Sequence, residues 1–179
     1  MEDIIPSRED IFRDVSQPLD HVGRIMAQWA VERPGLDVSP MGVIGRLHRL
    51  AARLDEELRP VFAEAGLSDG DFDVLAALRR SGAPYTLTPG ELGATTMITS
   101  GAVTKRVDRL ERSGLVARGR SAADARSRPV TLTPDGVALV DRLVERHVAN
   151  EARLLAGLDE AERRGLAALL ERLGRTLGD

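Results

Sequence analysis

Basic side chains concentrate in one stretch of this 179-residue chain, residues 99–128. Eight basic and three acidic residues fall there, a local charge of +5 that leaves -8 for the rest of a chain whose formal net charge is -3. Guanidinium and ammonium groups bind phosphate oxygens, and one basic face on an otherwise acidic molecule attracts polyanions. The charge distribution therefore indicates nucleic-acid binding. The basic residues are Lys105, Arg106, Arg109, Arg112, Arg118, Arg120, Arg126 and Arg128.

Composition argues against several other classes of protein. The chain has no cysteine, which excludes disulfides and thiolate metal sites. No apolar run approaches the roughly 20 residues that span a bilayer, and the acidic N-terminus lacks the basic-then-apolar order of a secretory signal, so we expect a cytoplasmic protein. There is no nucleophile elbow, P-loop or dinucleotide fingerprint, so we expect neither an enzyme nor a cofactor.

The three histidines are the remaining candidates for metal chemistry. His21, His48 and His147 lie on three different predicted helices and form no recognised metal motif, so we expect no metal site. A metal-responsive regulator that uses these histidines is the alternative, and elemental analysis of the purified protein would decide it.

Helical periodicity and breakers divide the chain into four parts. We expect residues 1–16 to be poorly ordered and residues 17–66 to form two amphipathic helices, the first with Pro18 in its first turn. Residues 67–132 are predicted to form a compact DNA-binding domain, and residues 133–179 to form two further helices. The apolar stripes of the outer helices need a covering surface, which predicts dimerisation.

The compact domain contains the pattern of a helix-turn-helix. Ser68 with Asp71 resembles a capping box that begins one helix, and Thr88 with Glu91 resembles a second that begins a short helix. A tight turn follows, and then an amphipathic helix that begins at Thr99 or Ser100 and stops at Gly114. A short helix, a turn and an amphipathic helix in this order are typical of DNA-binding proteins. The β-branched runs "LVARGR" and "RPVTLT" then predict a two-stranded hairpin, or wing.

A helical wheel separates two sides of the amphipathic helix. Val103, Val107 and Leu110 share one side, whereas Thr104 and Lys105 lie roughly opposite. Small residues at the N-terminal end would let the backbone approach a duplex, and a merely solvated charged face is the alternative. The residues expected to contact DNA are Ser100, Gly101, Thr104, Lys105 and Arg109 in the helix and Arg120, Arg126 and Arg128 in the wing.

Arg106 differs from its neighbours because the wheel places it at the border of the apolar side. A guanidinium there keeps its proton, so it needs a carboxylate or an anionic ligand, unless its methylenes carry it out to solvent. Trp29 is the only tryptophan, and on spacing alone a single aromatic residue on an apolar stripe is more often a packing anchor than a platform for a ligand. Asp73 falls on the side of its helix away from the apolar residues, so solvent exposure is the default expectation for it.

The residues from about 40 to 178 resemble the MarR family of transcriptional regulators. The resemblance rests on "LSDGDFDVLAALRRSG", on the D-x-R element formed by Asp124 and Arg126, and on "LTPDG" before the next helix. It implies a mainly α-helical, winged helix-turn-helix fold with a two-stranded β wing and with N- and C-terminal dimerisation helices. The implied function is that of a homodimeric repressor that binds a pseudo-palindromic operator in double-stranded DNA.

The added N-terminal helix further resembles the urate-responsive branch of that family, the PecS-like and MftR-like regulators. Four positions mark the branch, and Trp29, Asp73, Arg106 and Arg118 occupy them. By this resemblance Trp29 stacks on an aromatic anion, Arg106 binds its charge, and Asp73 pairs with Arg118 until the ligand disturbs that pair. The resemblance therefore implies a small anionic ligand, urate or another anion such as a phenolic acid or aconitate.

Overall fold

The computed structural model describes residues 18–96, 100–119 and 128–178, and for residues 100–102 it describes the backbone alone. The expectation of a poorly ordered segment at residues 1–16 and the tip of the wing both lie outside the described residues. The elements of the described residues are α1 (His21–Glu32), α2 (Ser39–Ala63), α3 (Asp69–Arg80), β1 (Thr86–Leu87), α4 (Pro89–Thr95), α5 (Ser100–Arg112), β2 (Val116–Arg118), β3 (Val130–Leu132), α6 (Pro134–Leu154) and α7 (Glu160–Leu177).

The chain divides into two compact units, Met1–Asp55 and Glu56–Asp179, and α2 continues from one into the other. In the first unit, α1 begins three residues later than expected, because Asp20 rather than Pro18 sets its start. The Asp20 side chain accepts a hydrogen bond from the Gly23 amide at 2.7 Å, as an N-cap does. Arg46 of α2 donates to the same carboxylate at 2.9 Å. The hydrogen bonds from Arg46 and Gly23 lower the pKa of Asp20.

The core of the second unit is built around α3. Leu75 and Leu78 of this helix are fully buried, and the apolar side of α5 and residues from β2, β3 and α6 pack into the same core. The two predicted capping boxes at the starts of α3 and α4 are both present, and a third begins α7 at Asp159 and Glu162. The start of each of these helices is therefore set by local sequence.

The wing is part of a three-stranded antiparallel sheet with the order β1-β3-β2. Strand β2 pairs with β3 with Ala117 opposite Thr131, as the hairpin prediction requires. Strand β1 was not predicted, because two residues are too short to show an alternating pattern. It pairs with β3 through Thr86 opposite Thr131, whose hydroxyl oxygens are 2.8 Å apart.

The base of the wing lies directly on the start of α6. Thr133 caps that helix, and its hydroxyl donates to the carbonyl of Gly114 at 2.7 Å. A Cβ at Gly136 would lie 2.1 Å from the carbonyl oxygen of Leu115, so only glycine allows this approach. Among the described residues, none of the helices has the length and apolar character that crossing a membrane requires.

Candidate nucleic-acid interface and anion site

The exposed side of α5 is the candidate surface for DNA. Val103, Val107 and Leu110 are 1%, 2% and 0% exposed, whereas Thr104 and Lys105 are exposed. The division that the helical wheel predicts is therefore confirmed. The helix follows the short capped helix α4 and packs against α3, which leaves its polar side at the surface.

The other predicted DNA contacts are only partly described. Ser100 and Gly101 form the first turn of α5, where amide groups without helical partners favour phosphate. Arg128 is exposed and comes two residues before β3. Arg120 and Arg126 lie outside the described residues, so their contact with DNA stays a prediction.

Arg109 contacts another part of the protein instead of projecting freely from α5. Its Nη2 donates to the Asp71 carboxylate of α3, and its Nε donates to Asp71 Oδ1 at 3.2 Å. The same Nη2 lies 3.1 Å from Ser68 Oγ. One edge of the guanidinium is thus occupied within the protein, which the sequence analysis did not foresee when it placed Arg109 among the residues that contact DNA.

Asp71 is the partner of both Arg106 and Arg109, and the sequence indicated only its capping role. It is fully buried, and its Oδ2 accepts hydrogen bonds from the Ser68 amide at 2.8 Å and the Ser68 hydroxyl at 2.7 Å. Burial alone would raise the pKa of Asp71, but the hydrogen bonds from Arg109 and Ser68 outweigh burial and lower that pKa. The carboxylate is therefore charged at neutral pH.

Arg106 faces inward, as the wheel predicts. Its side chain is 25% exposed, its Nη1 donates to Ser68 Oγ at 2.8 Å, and the same Nη1 is 3.9 Å from Asp71 Oδ1. Its Nε is buried and has no hydrogen-bond partner among the residues that the structure describes. A Cβ at Gly70 would lie 2.3 Å from the guanidinium carbon, so the guanidinium lies against a glycine backbone. Asp71 supplies the carboxylate that the position of Arg106 requires, but Arg109 shares it.

Arg118 of β2 is paired with two acidic residues of α5. It donates to Asp108, and its Nη1 donates to Glu111 Oε2 at 2.9 Å. Asp108 is thus partly engaged at the base of the wing. Asp73 is half-buried on α3. The pairing of Asp73 with Arg118 that the resemblance implies stays a prediction.

An open groove of about 600 Å³ lies between α5 and the base of the wing. Its walls combine apolar residues with polar and charged ones. The lining residues are Pro89, Val103, Thr104, Val107, Asp108, Arg118 and Arg128.

Trp29 belongs to the first unit and is 40% exposed on α1. His147 lies on α6, where its Nε2 is 3.1 Å from Glu151 Oε1, a contact between residues one turn apart that the sequence analysis overlooked. Within the described ranges no cluster of three or more histidine, aspartate or glutamate residues has the arrangement of a metal site.

A short capped helix, an amphipathic helix with a basic outer side and an antiparallel wing together define a winged helix-turn-helix DNA-binding protein. Comparison with known proteins agrees. The model of the MarR family matches residues 65–127. The HTH-type transcriptional regulator PecS of Dickeya dadantii (strain 3937) is 44% identical over 156 residues, which cover 87% of this chain and 94% of PecS. The chain belongs to the MarR family of transcriptional regulators, and its likeness to PecS is confirmed.

Two solved structures show the same fold. BpsR of Bordetella bronchiseptica, whose DNA binding is regulated by 6-hydroxynicotinic acid, has a TM-score of 0.65 and 30% identity over 74% of this chain and 92% of that chain. A mutant of MarR from E. coli in complex with operator DNA has a TM-score of 0.65 and 26% identity over 77% of this chain and 99% of that chain. The protein is thus a DNA-binding transcriptional regulator with a mainly helical, winged helix-turn-helix fold.

Proposed function

We propose that the protein is a cytoplasmic, homodimeric repressor that binds a pseudo-palindromic operator and is released from it by a small aromatic anion, with urate as the first candidate. Two recognition helices α5 of a dimer would enter successive major grooves about 10 base pairs apart. Arginine contacts to phosphates would supply much of the affinity and make it depend on salt.

Exposed apolar side chains support the homodimer. In a single chain, large apolar residues remain exposed along α2 and along α7, which is unfavourable in water unless another surface covers them. A second copy of the chain is the occupant that the family resemblance favours, and a two-fold dimer would match a two-fold operator. The exposed apolar residues of α2 and α7 include Val43, Ile44, Leu50, Leu54, Leu166, Leu169 and Leu170.

The inward-facing Arg106 carries the ligand proposal. Two guanidinium groups, those of Arg106 and Arg109, share the single negative charge of Asp71, and the buried Nε of Arg106 has no acceptor among the described residues. An anion would supply both the missing charge and the missing acceptor. Arg118, Trp29 and Asp73 join Arg106 in this proposal on the strength of the family resemblance.

Two anions have specific support. Urate is negatively charged at neutral pH and is favoured by the four residue types that mark the urate-responsive branch. 6-Hydroxynicotinic acid is the second candidate, because it regulates DNA binding by BpsR, which shares the fold. In either case the ligand lowers DNA affinity only to the extent that it prefers a dimer conformation that cannot span both half-sites.

Isothermal titration calorimetry on the protein without DNA tests the ligand assignment. Urate and 6-hydroxynicotinic acid are titrated into the wild type, into Arg106→Gln and into the control Arg112→Gln, which removes an exposed arginine of the same helix. We expect Arg106→Gln to weaken binding at least tenfold and Arg112→Gln to leave it unchanged. Equal affinity of all three proteins for the anion that binds would contradict the role of Arg106.

The role of Trp29 needs a separate titration. Trp29→Ala is expected to weaken urate binding in the same calorimetric assay, because stacking on the indole would be lost. Unchanged urate affinity would show that Trp29 does not contact urate.

A further inference from the structure

One side chain of α3 holds the recognition helix at a single point. The Asp71 carboxylate is fully buried, and it accepts hydrogen bonds both from Ser68 in its own capping box and from Arg109 of α5. Ser68 and Arg109 are 41 positions apart in the chain. The same carboxylate therefore caps the N-terminus of α3 and fixes the position of α5.

The chemistry of the contact gives it directional strength. Arg109 approaches Asp71 through Nε and Nη2, the edge of the guanidinium whose spacing matches a carboxylate. Because the carboxylate is removed from water, losing Arg109 would leave a buried charge with weaker compensation. A rotation or slide of α5 would break both hydrogen bonds together, so the pair resists such motion.

Arg109 also has a place in the recognition helix that matters for DNA. It lies one turn beyond Lys105, whose exposed ammonium group is a candidate phosphate contact. An arginine held by Asp71 would serve the DNA complex by keeping the exposed side of α5 in place, and the phosphate contacts would come from other residues.

We propose that Asp71 and Arg109 form a positioning pair that holds the recognition helix for DNA binding, with Arg109 acting through Asp71 and not through a DNA phosphate. This proposal rests on DNA binding by α5 and needs no ligand to be bound. Asp71 and Arg109 are therefore positioning residues, and Lys105 serves as the contrasting contact residue.

The dependence of DNA affinity on salt separates the two roles. Each phosphate contact contributes about 0.9 to the slope of log K against log salt for duplex DNA. Affinity for duplex DNA from the region upstream of the protein's own coding sequence is measured by fluorescence anisotropy at several salt concentrations. We expect Arg109→Ala to weaken binding about tenfold with the slope of the wild type. Lys105→Ala should lower the slope by about two, because the dimer loses one phosphate contact in each of its two subunits.

A double-mutant cycle tests the partnership itself. Asp71→Asn is expected to weaken DNA binding in the wild type but to add little in the Arg109→Ala background, because both changes remove the same interaction. Arg109→Lys should restore affinity only in part, since a lysine lacks the two-donor edge. A lowered salt slope in Arg109→Ala, full recovery of affinity and slope in Arg109→Lys, or additive effects in the cycle would each overturn the proposal. If Asp71→Asn does not fold, as judged by circular dichroism, the slopes of the two Arg109 variants decide alone.

Discussion

Asp71 shows how a single buried charge can serve two elements at once. Its carboxylate is removed from water, which is costly, and the cost is offset only because Ser68 and Arg109 donate hydrogen bonds to it. The pKa of Asp71 is lowered because the folded state favours the charged form more than the unfolded state does.

The stability contributed by Asp71 should depend on pH in a defined direction. A carboxyl group whose pKa is lowered by folding stabilises the protein above its ordinary pKa of 3.8, and that stability is lost as the pH falls through the folded value. We expect Asp71→Asn to lose about 3 kcal/mol of unfolding free energy at pH 5 to 7, with the difference from wild type shrinking below about pH 4. Urea unfolding at a series of pH values measures it.

Glu91→Gln is the matched control for this prediction. Glu91 occupies the same position in the capping box of α4, where it bonds to Thr88 at the surface. Its loss should cost much less than that of Asp71 at neutral pH. An equal cost for the two substitutions would show that capping, and not the buried pair with Arg109, explains the importance of Asp71.

Gly70 is predicted to control Arg106. A Cβ at this position would lie 2.3 Å from the Arg106 guanidinium, which is flexible and can move aside. Gly70→Ala should therefore leave the fold intact but displace Arg106 from Ser68, and urate binding should weaken about tenfold. Calorimetric titration measures the effect, with Gly90→Ala as control because an added Cβ there has no neighbour closer than 4.0 Å. Unchanged urate affinity in Gly70→Ala, with urate bound by wild type, would contradict the placement of Arg106.

At the scale of elements, the wing is positioned by its contact with α6. Thr133 bonds to Gly114 and Gly136 lies against the Leu115 carbonyl, so the turn before β2 and the first turn of α6 form one rigid contact. Because the atom that faces Gly136 is backbone, it cannot rotate out of the way as a side chain can. Substitution there must move the wing or the helix.

Gly136→Ala is expected to destabilise the protein by about 2 to 3 kcal/mol, the upper part of the range that overpacking costs, because backbone must shift. Thermal or urea unfolding would show it, and DNA affinity should fall as the wing moves. Gly90→Ala again provides the comparison, with a small effect of either sign expected. A Gly136→Ala protein as stable as wild type would mean that the contact between Gly136 and Leu115 is looser than described.

Elements differ in how far sequence alone could predict them. The starts of α3, α4 and α7 depend on residues three apart, so their capping boxes can be recognised in the sequence, and the two predicted at α3 and α4 are confirmed. Strand β1 has two residues, and it forms by pairing with β3, which lies more than 40 residues later, so no local pattern predicts it. The start of α1 at Asp20 likewise depends partly on Arg46 of α2.

The candidate site follows the same rule. The wheel correctly predicts that Arg106 faces inward. It cannot identify the carboxylate that pairs with Arg106, because Asp71 is 35 positions earlier in the chain. The sequence predicted that Arg109 contacts DNA, because its pairing with Asp71 of another helix is likewise not visible in the sequence. The partners of Arg118 are within ten residues, yet β2 must form before Asp108 and Glu111 come into reach. Side-chain chemistry was thus predictable, whereas pairing between elements was not.

At the scale of the whole molecule, the exposed apolar residues of α2 and α7 predict a dimer. A glutamate at Leu169, which is 56% exposed in one chain, should leave a monomer unharmed but disrupt a covered interface. We expect Leu169→Glu to weaken dimerisation at least tenfold in sedimentation velocity, whereas Val31→Glu, at a 76% exposed position, should not. A wild type that sediments as a monomer at every concentration would contradict the dimer.

Whole-molecule charge sets the last expectation. An acidic chain with a basic outer surface on α5 should bind duplex DNA with an affinity that falls steeply as salt rises. Ligand control then requires that an anion bound at the inner side of the same helix alter how its outer side meets DNA. We therefore expect Arg106 to couple binding of a small anion to release from the operator.

The anisotropy of labelled duplex DNA from the protein's own upstream region, titrated with urate at neutral pH in the presence of wild type or Arg106→Gln, measures this coupling. We expect urate to release the wild type from the DNA, whereas Arg106→Gln binds the DNA and stays bound. Wild type that remains bound at saturating urate, or an Arg106→Gln protein released at the same urate concentration as wild type, would contradict this coupling.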